Sequence, residues 1–261
     1  MQHSTGYIIG FAVAVCLVCS VFVASSAVLL KDRQDANILL DRQSKVLTVA
    51  GLMQEGQSLP AEEIGRIFAE SIKPRVVEIA SGSYADTAVD AGSYDQRKAA
   101  SDPARSKPAP KNGARVMRVP DYGLVYLVQQ PGEEVEAIIL PVEGKGLWST
   151  LYGYIALAPD TRTIKGITFY EHGETAGLGG EVDNPRWKAL WPGRLAFDER
   201  WKPRIAVKKG AAGPIASDPY NVDGLAGATL TSRGVTNLLR FWLGNDAFGP
   251  YLAGIRSSGT L

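Results

Sequence analysis

Cysteine and histidine are scarce in this sequence, since its 261 residues include only two of each. Both cysteines, Cys16 and Cys19, lie in one long apolar run, so the rest of the chain has no thiol for a disulfide or a cysteine-ligated metal. Their i, i+3 spacing puts them on one face of a helix. There we interpret them as small apolar residues, with contact to a partner helix or a metal as the alternative. His3 and His172 are too few for a multi-histidine metal site.

The sequence also lacks an excess of charge of either sign. Its 28 lysines and arginines nearly equal its 27 aspartates and glutamates, which gives a formal net charge of +1. This balance argues against a nucleic-acid-binding protein. The length allows one large domain or two small ones. Because all five tryptophans lie at or beyond Trp148, we expect the main core in the second half of the chain.

The segment Tyr7–Leu30 has no charged residue. As a helix it would measure about 36 Å, enough to cross the roughly 30 Å hydrocarbon layer of a membrane. A cleaved signal peptide is the alternative. Its usual basic leader is missing, however, because only His3 and the terminal amine precede the run. We therefore predict an uncleaved, single-pass transmembrane anchor over residues 1–30.

The charges beside this anchor indicate its orientation only weakly. Lys31 and Arg33 follow the apolar run, and no lysine or arginine precedes it. The positive-inside rule would therefore keep the large domain in the cytoplasm. Asp32 and Asp35 are interleaved with these cations, and large domains translocate largely regardless of charge, so the rule leaves the side open.

Residues 31–80 are predicted to be helical and to pack on the main domain, because their apolar residues recur at near-helical spacing. A second helix in this segment would begin at Ser58 or Pro60 and end at Pro74. The following stretch has no Leu, Ile, Phe, Met or Trp between Ser81 and Arg115. It cannot bury much apolar surface. We expect a polar extended strap over residues 81–118.

Residues 119–261 carry the strand signals. The segments "LVYLVQ" and "VEAIILPV" flank one turn, and "YGYIALA" and "TIKGITFY" flank another, so each pair predicts a β-hairpin. "RIAVKK" suggests a further strand, "NPRWKALWP" a short helix, and the apolar spacing from Val235 to Trp242 a final amphipathic helix. The fold class predicted is α+β: an antiparallel sheet with flanking helices, following one transmembrane helix.

Three glycine-containing loops of this domain have the composition of a ligand site. They are "EGKGLWST" (143–150), "EHGETAGLGGEV" (171–182) and "DGLAGATLTSRGV" (223–235). The third places the hydroxyls of Thr229, Thr231 and Ser232 at the start of the final helix, where unpaired amides favour phosphate. One of these hydroxyls would be a natural N-cap, but capping needs only one. A nucleophilic threonine would need a base, for which His172 is the candidate.

The string "DGLAGATLTS" resembles the flavinylation motif D-x-x-[S/T]-G-A-T of the FMN-binding domain family. In that family FMN is attached by a phosphoester bond to the threonine that ends the motif, so the resemblance implies covalent FMN on Thr229. Asp223, Gly227 and Ala228 match the motif. Ala226 departs from it, because the family usually has Ser or Thr there.

Longer stretches resemble the C-subunit family of the Na+-translocating NADH:quinone oxidoreductases. These stretches are "EGKGLWSTLYGYIAL", "EHGETAGLGGEV" and "YDQRKAASDP", with Ala176 where that family commonly has proline. The resemblance implies a bacterial inner-membrane electron carrier with its FMN domain in the periplasm. It also implies a flavin transferase that uses FAD, and partner subunits that pass electrons on through a second FMN and riboflavin to ubiquinone. The related Rnf G subunit, a non-redox anchored scaffold and a threonine-nucleophile hydrolase are the alternatives.

The expected site comprises cofactor-binding residues and no catalytic or metal-binding ones. Trp148 would pack in the core or stack on the flavin, and Glu174 would orient Thr175 or face solvent. Lys145 would bring a cation to the flavin, and Thr231 is the second candidate acceptor. The full expected set is Lys145, Gly146, Leu147, Trp148, Ser149, Glu174, Thr175, Gly177, Leu178, Gly179, Gly180, Asp223, Gly227, Ala228, Thr229, Leu230, Thr231 and Ser232.

Overall fold

The computed structural model describes residues 4–85 and 87–259. The chain divides into two compact units, one ending at Arg42 and the other beginning at Gln43. The first unit is helical from Thr5 onward. The second contains the β-sheets and the remaining helices.

The first helix, α1 (Thr5–Ala50), extends well beyond the predicted anchor of residues 1–30. It contains an 18-residue window of mean hydropathy 2.7, none of which is buried, so its length and composition suffice to cross a membrane. Cys16 and Cys19 are exposed, free thiols on this helix. The last turns of α1 belong to the second unit, in which Leu47 is completely buried.

Five antiparallel strands form the central sheet, in the order β1-β4-β5-β6-β7. Their bounds are β1 (Ile72–Glu78), β4 (Tyr122–Val128), β5 (Ala137–Lys145), β6 (Thr150–Leu157) and β7 (Ile164–Glu171). β4 pairs with β5 and β6 pairs with β7, so both predicted hairpins are confirmed. The α+β class is confirmed with them.

The predicted end of the second helix at Pro74 is wrong. α2 (Ala61–Ser71) does begin after Pro60, but Ile72 already starts β1. Pro74 lies inside this strand, opposite Tyr126 of β4. An edge strand tolerates proline because one of its sides needs no ladder hydrogen bonds. Burial of Val76 and Val77 in this strand therefore outweighs the local helical pattern.

The segment predicted as an extended strap, residues 81–118, contains regular structure. Its elements are α3 (Gln96–Ser101), β2 (Ser106–Pro108) and the start of β3 (Arg118–Pro120), which pairs antiparallel with β2. Asp95 caps α3, because its carboxylate accepts hydrogen bonds from the amides of Arg97 and Lys98. Polar contacts of this kind order a segment that has few large apolar side chains.

The remaining elements close the domain around the sheet. They are a 3-10 helix (Gly179–Asp183), α4 (Pro185–Lys188), β8 (Ala206–Val207), β9 (Asn221–Val222), α5 (Thr229–Trp242) and α6 (Gly249–Ser258). The predicted "RIAVKK" strand shrinks to the two residues of β8, which pair in parallel with β9. Trp191 and Trp242 are fully buried in the core between sheet and helices. α5 packs directly on β5, since a Cβ on Gly144 would lie 2.6 Å from Cβ of Leu238.

Candidate functional site

The carboxylate of Glu174 joins the three glycine-containing loops. Its oxygens accept hydrogen bonds from three successive amides of the first loop: Leu147 at 3.2 Å, Trp148 at 2.9 Å and Ser149 at 3.1 Å. The hydroxyl of Thr231, at the start of α5, donates to Oε2 of the same carboxylate at 2.5 Å. The predicted roles of Glu174, orienting Thr175 or facing solvent, are therefore wrong, because the residue is only 8% exposed and its partners are others.

Glu174 is ionised more readily than an ordinary glutamate. Burial raises the pKa of its carboxyl group, but the hydrogen bonds from Thr231 and from the three amides outweigh burial and hold the pKa below its ordinary value. A carboxylate with four donors spreads its charge over the loop backbone. The loop amides are thus held in place by an internal anion.

Two glycines are needed where the loops approach this carboxylate. A Cβ on Gly146 would lie 2.6 Å from Oε1 of Glu174. A Cβ on Gly179 would lie 2.6 Å from the Thr231 hydroxyl oxygen and 2.7 Å from Oε2 of Glu174. Neither position has room for a side chain. These two glycines therefore serve close packing between the loops.

Other expected site residues also tie the loops together. The Ser149 hydroxyl accepts a hydrogen bond from the amide of Gly173 at 2.6 Å. Asp223 accepts one from the amide of Ala212 at 2.8 Å through its carboxylate, and one from the Trp187 indole at 2.8 Å through its carbonyl. Ser149 and Asp223 thus hold backbone and core within the domain.

The three hydroxyls at the start of α5 lie in different environments. Thr231 is completely buried and bonded to Glu174, and the buried Ser232 hydroxyl accepts a hydrogen bond from the amide of Leu225 at 3.1 Å. Thr229 is exposed, and its hydroxyl has no hydrogen-bond partner within residues 4–85 and 87–259. The N-cap prediction for these hydroxyls is wrong, because the cap is Ala228 and no side chain caps the helix.

Large apolar side chains of all three loops are exposed to solvent. Trp148 is 68% exposed, which rules out core packing, one of the two positions expected for it. Leu147, Leu178 and Leu230 are each about half exposed. Gly227 brings the second and third loops together, because a Cβ there would lie 2.8 Å from the Leu178 side chain. Exposed apolar groups on several loops are typical of ligand or partner surfaces.

Two backbone amides of the second loop are already hydrogen-bonded within the loop and are not available to a ligand. The amides of Leu178 and Gly180 both donate to the carbonyl of Thr175, at 3.1 and 2.9 Å. Gly177 adopts a positive φ of 75° that suits glycine in this turn, and a Cβ there would contact nothing. The Leu178 side chain of this loop is exposed to solvent, whereas the amides of Leu178 and Gly180 form hydrogen bonds inside the loop.

His172 has contacts that leave it away from the threonine hydroxyls. Its Nε2 lies 2.8 Å from the carboxylate of Asp183, and its Nδ1 accepts a hydrogen bond from the amide of Glu174 at 3.2 Å. Both ring nitrogens are thus used. No hydrogen bond joins His172 to Thr229, Thr231 or Ser232 among the residues that the structure describes.

Two cations near α5 bear on the expected set. Lys145, predicted to bring a cation to the flavin, lines a cleft together with Arg97 and Arg115, and its role toward the flavin stays a prediction. Arg233, which was not among the expected site residues, lies four residues after Thr229 on α5 and is exposed. Residues at i and i+4 share a helix face, and that spacing could have revealed Arg233 from the sequence.

Comparisons with known proteins agree on the nature of this domain. The family model described as "FMN-binding domain" matches residues 146–244, which include most of the three loops. The chain is 49% identical over 258 residues to the C subunit of the Na(+)-translocating NADH-quinone reductase of Pseudomonas aeruginosa, covering 98% of this chain and 97% of that protein. It is 48% identical over 253 residues to the C subunit of Vibrio vulnificus strain YJ016, covering 96% and 95%.

Two solved structures of C subunits have folds similar to this chain. The crystal structure of NqrC from Shewanella oneidensis superposes with a TM-score of 0.75 at 35% identity, covering 83% of this chain and 97% of that one. The crystal structure of the corresponding protein from Parabacteroides distasonis gives a TM-score of 0.65 at 26% identity, covering 85% and 96%.

The fold and the matched domain define an FMN-binding protein of the α+β type. With near-complete coverage at this identity, the chain belongs to the family of C subunits of the Na(+)-translocating NADH-quinone reductases. These proteins are parts of an oxidoreductase complex, so the predicted family is confirmed.

Proposed function

We propose that this chain carries electrons within a Na+-translocating NADH:quinone reductase through an FMN joined by a phosphoester bond to Thr229. The observation that carries the proposal is the contrast among the three hydroxyls. Thr229 alone of the three is exposed and free of hydrogen bonds within the described residues, whereas Thr231 and Ser232 are buried and bonded. A modifying enzyme can reach the first and not the others.

The surroundings of Thr229 fit a phosphorylated flavin. The first amides of α5 have no side-chain cap, so they remain available to an anion at the positive end of the helix. Arg233 lies one turn further along the same face and has no ion pair within the described residues. A side chain in a helix leans toward its N-terminus, which directs this guanidinium toward the phosphate.

The exposed apolar side chains fit the ring end of the same group. Trp148, Leu147 and Leu178 present flat or branched apolar surface beside the attachment helix. When bound, FMN supplies one- and two-electron chemistry that the amino acids themselves lack. The protein residues hold the group, shield part of its apolar surface and leave an edge open toward electron-transfer partners.

Attachment requires one substitution at phosphorus. The Oγ–P bond forms at Thr229 as the diphosphate bond of an FAD donor breaks, AMP leaves, and the hydroxyl proton is lost. None of the histidine, aspartate or glutamate side chains is bonded to the Thr229 hydroxyl among the described residues. The base and the donor site are therefore supplied by a separate flavin transferase, which the family resemblance also implies.

We propose, in addition, a membrane location and partner subunits for this chain. The apolar part of α1 serves as a single-pass anchor in the bacterial inner membrane. The flavin domain lies on the periplasmic side, as the family resemblance implies, and contacts the other subunits of the complex. Anchoring raises the effective concentration of the flavin beside these partners, and a covalent tether prevents its loss during turnover.

The test uses the full-length chain made with and without a flavin transferase. We expect wild type made with the transferase to gain the mass of one FMN phosphoester, and Thr229→Val to gain none. Thr231→Val is the matched variant, because it removes a neighbouring hydroxyl and should still acquire flavin in its folded fraction. Intact-mass measurement and in-gel flavin fluorescence give the readout. Flavin on Thr229→Val, or its loss only in Thr231→Val, would refute the assignment.

A further inference from the structure

A concave cleft of about 370 Å³ lies beside the ends of β5 and β6. Four cationic residues line it: Arg97, Arg115, Arg118 and Lys145. Its volume falls in the range of roughly 300–1,000 Å³ that is usual for small-ligand pockets. The only acidic residue in its lining is Glu143.

Three of these four cations have no carboxylate partner within residues 4–85 and 87–259. Arg97 is neutralised, since it makes two hydrogen bonds to the carboxylate of Glu171, at 2.6 and 3.2 Å. Arg118 donates only to the Ser106 hydroxyl and to backbone carbonyls, and Arg115 and Lys145 form no ion pair. The cleft therefore carries an uncompensated positive charge.

The local backbone fixes the position of Arg115. The side chain of Asn112 bonds to the carbonyl and the amide of Val116, at 2.9 and 3.1 Å, and so closes a tight turn. Arg115 in this turn has a φ of 55°, a left-handed conformation that a residue with a side chain rarely adopts. The turn fixes the backbone from which the exposed side chain of Arg115 projects.

Glu143 is the one acidic residue in the lining of the cleft among the described residues, and it is partly buried. Burial raises the pKa of the Glu143 carboxyl, and nearby Arg97 lowers it by less, so that the protonated form is favoured relative to a free glutamate.

We propose that this cleft, which shares residues of the first glycine-containing loop but none of the attachment loop, is a binding site for a phosphate-bearing small molecule. Two guanidinium groups and one ammonium group match the several oxygens and multiple charges of a diphosphate better than the two oxygens of one carboxylate. The proposal does not depend on covalent flavin at Thr229, because none of the cleft's lining residues belongs to the attachment loop.

The test is isothermal titration calorimetry of the full-length chain in detergent at low ionic strength, with inorganic pyrophosphate as the probe. We expect saturable binding of one pyrophosphate per chain. Arg115→Asn keeps a residue that tolerates positive φ, and Lys145→Met keeps an apolar stem, so each removes charge with little change of shape. Each should weaken binding at least about tenfold, the equivalent of one charged contact.

Lys111→Met is the control, because Lys111 is an exposed cation of the same segment that does not line the cleft. It should bind pyrophosphate like wild type, and so should the flavinylated chain. ADP is the second probe: tighter binding than pyrophosphate points to a nucleotide, and equal binding to the phosphate groups alone. Absent saturation, indifference to both substitutions, or binding of a glutamate-rich peptide in place of pyrophosphate would overturn the proposal. Lys145→Met still carries the test if Arg115→Asn does not fold.

Discussion

The hydroxyl of Thr231 lies 2.5 Å from the carboxylate of Glu174, a residue 57 positions earlier in the chain. This contact links the start of α5 to the loop that follows β7. The same carboxylate holds three amides of the loop between β5 and β6. The relative position of Thr229 and the exposed apolar side chains therefore depends on one buried acid.

Glu174→Gln should destabilise the domain and loosen the three loops. The amide keeps the size of the side chain but loses the charge that strengthens four hydrogen bonds, and its NH2 group faces other donors. We expect a loss of about 1–3 kcal/mol in the free energy of unfolding. Chemical denaturation measures it, with Glu181→Gln, in the adjoining 3-10 helix, as a control. Equal stability of both variants would contradict the role of Glu174.

The same residue predicts a pH dependence. The folded-state pKa of Glu174 lies below its ordinary value of 4.5, so its contribution to stability is fully present above that pH. The contribution is lost as the pH falls through the lower folded value. Wild type should therefore lose more stability on acidification below about pH 4.5 than Glu174→Gln does. Parallel stability curves for the two proteins would exclude this contribution.

Gly179→Ala should disrupt the contact between Glu174 and Thr231. The added Cβ would lie within 2.7 Å of both side-chain oxygens, so one of them must move away. We expect destabilisation by about 1–3 kcal/mol, as for overpacking of a close contact. Gly65→Ala is the matched control, because Gly65 lies in α2 with nothing within 4 Å and should be neutral or stabilising by about 0.5–1 kcal/mol. Thermal denaturation compares the two.

Trp148→Ala should leave the fold nearly unchanged and expose the flavin. Because 68% of this side chain is already in solvent, we expect a change in stability within about 0.5 kcal/mol. Iodide should then quench the fluorescence of attached FMN more strongly than in wild type. Trp191→Ala, at a fully buried position, should instead cost about 3–5 kcal/mol. Unchanged quenching in Trp148→Ala would show that this indole does not shield the flavin.

Arg233→Gln should alter the environment of the flavin phosphate. The substitution removes the cation one turn from Thr229, so the phosphorus resonance of the attached FMN should shift in 31P NMR. Arg186→Gln is the control, because Arg186 is an exposed cation on α4 that lies outside the attachment helix. Matching spectra for wild type and Arg233→Gln would remove Arg233 from the phosphate site.

Elements with a local, strongly periodic signal were predictable from the sequence. The two hairpins alternate apolar residues around short turns, and α5 repeats apolar residues at helical spacing. The prediction failed at β1, where Pro74 suggested the end of a helix but pairing with β4 produced an edge strand. It also missed the order in residues 81–118, which depends on side-chain hydrogen bonds such as the cap of α3.

The candidate site, like the fold, could be predicted from the sequence only in part. The acceptor motif around Thr229 and the leucines of the three loops could be recognised in the sequence, because each occupies a few consecutive residues. The contacts of Glu174 and the exposure of Trp148 were not predictable, since burial and contact partners depend on how loops distant in sequence meet.

Composition and short strings of residues were enough to predict the apolar helix, the flavinylation motif and the family, because each of these is encoded locally. Which hydroxyls are buried, and which acid organises the loops, followed only from the packing of the folded chain. The motif singles out Thr229 in the sequence, but only the fold shows that Thr231 is buried against Glu174 and that Ser232 is buried, while Thr229 lies in solvent. Burial of these side chains depends on loops that are distant in sequence, which no local pattern records.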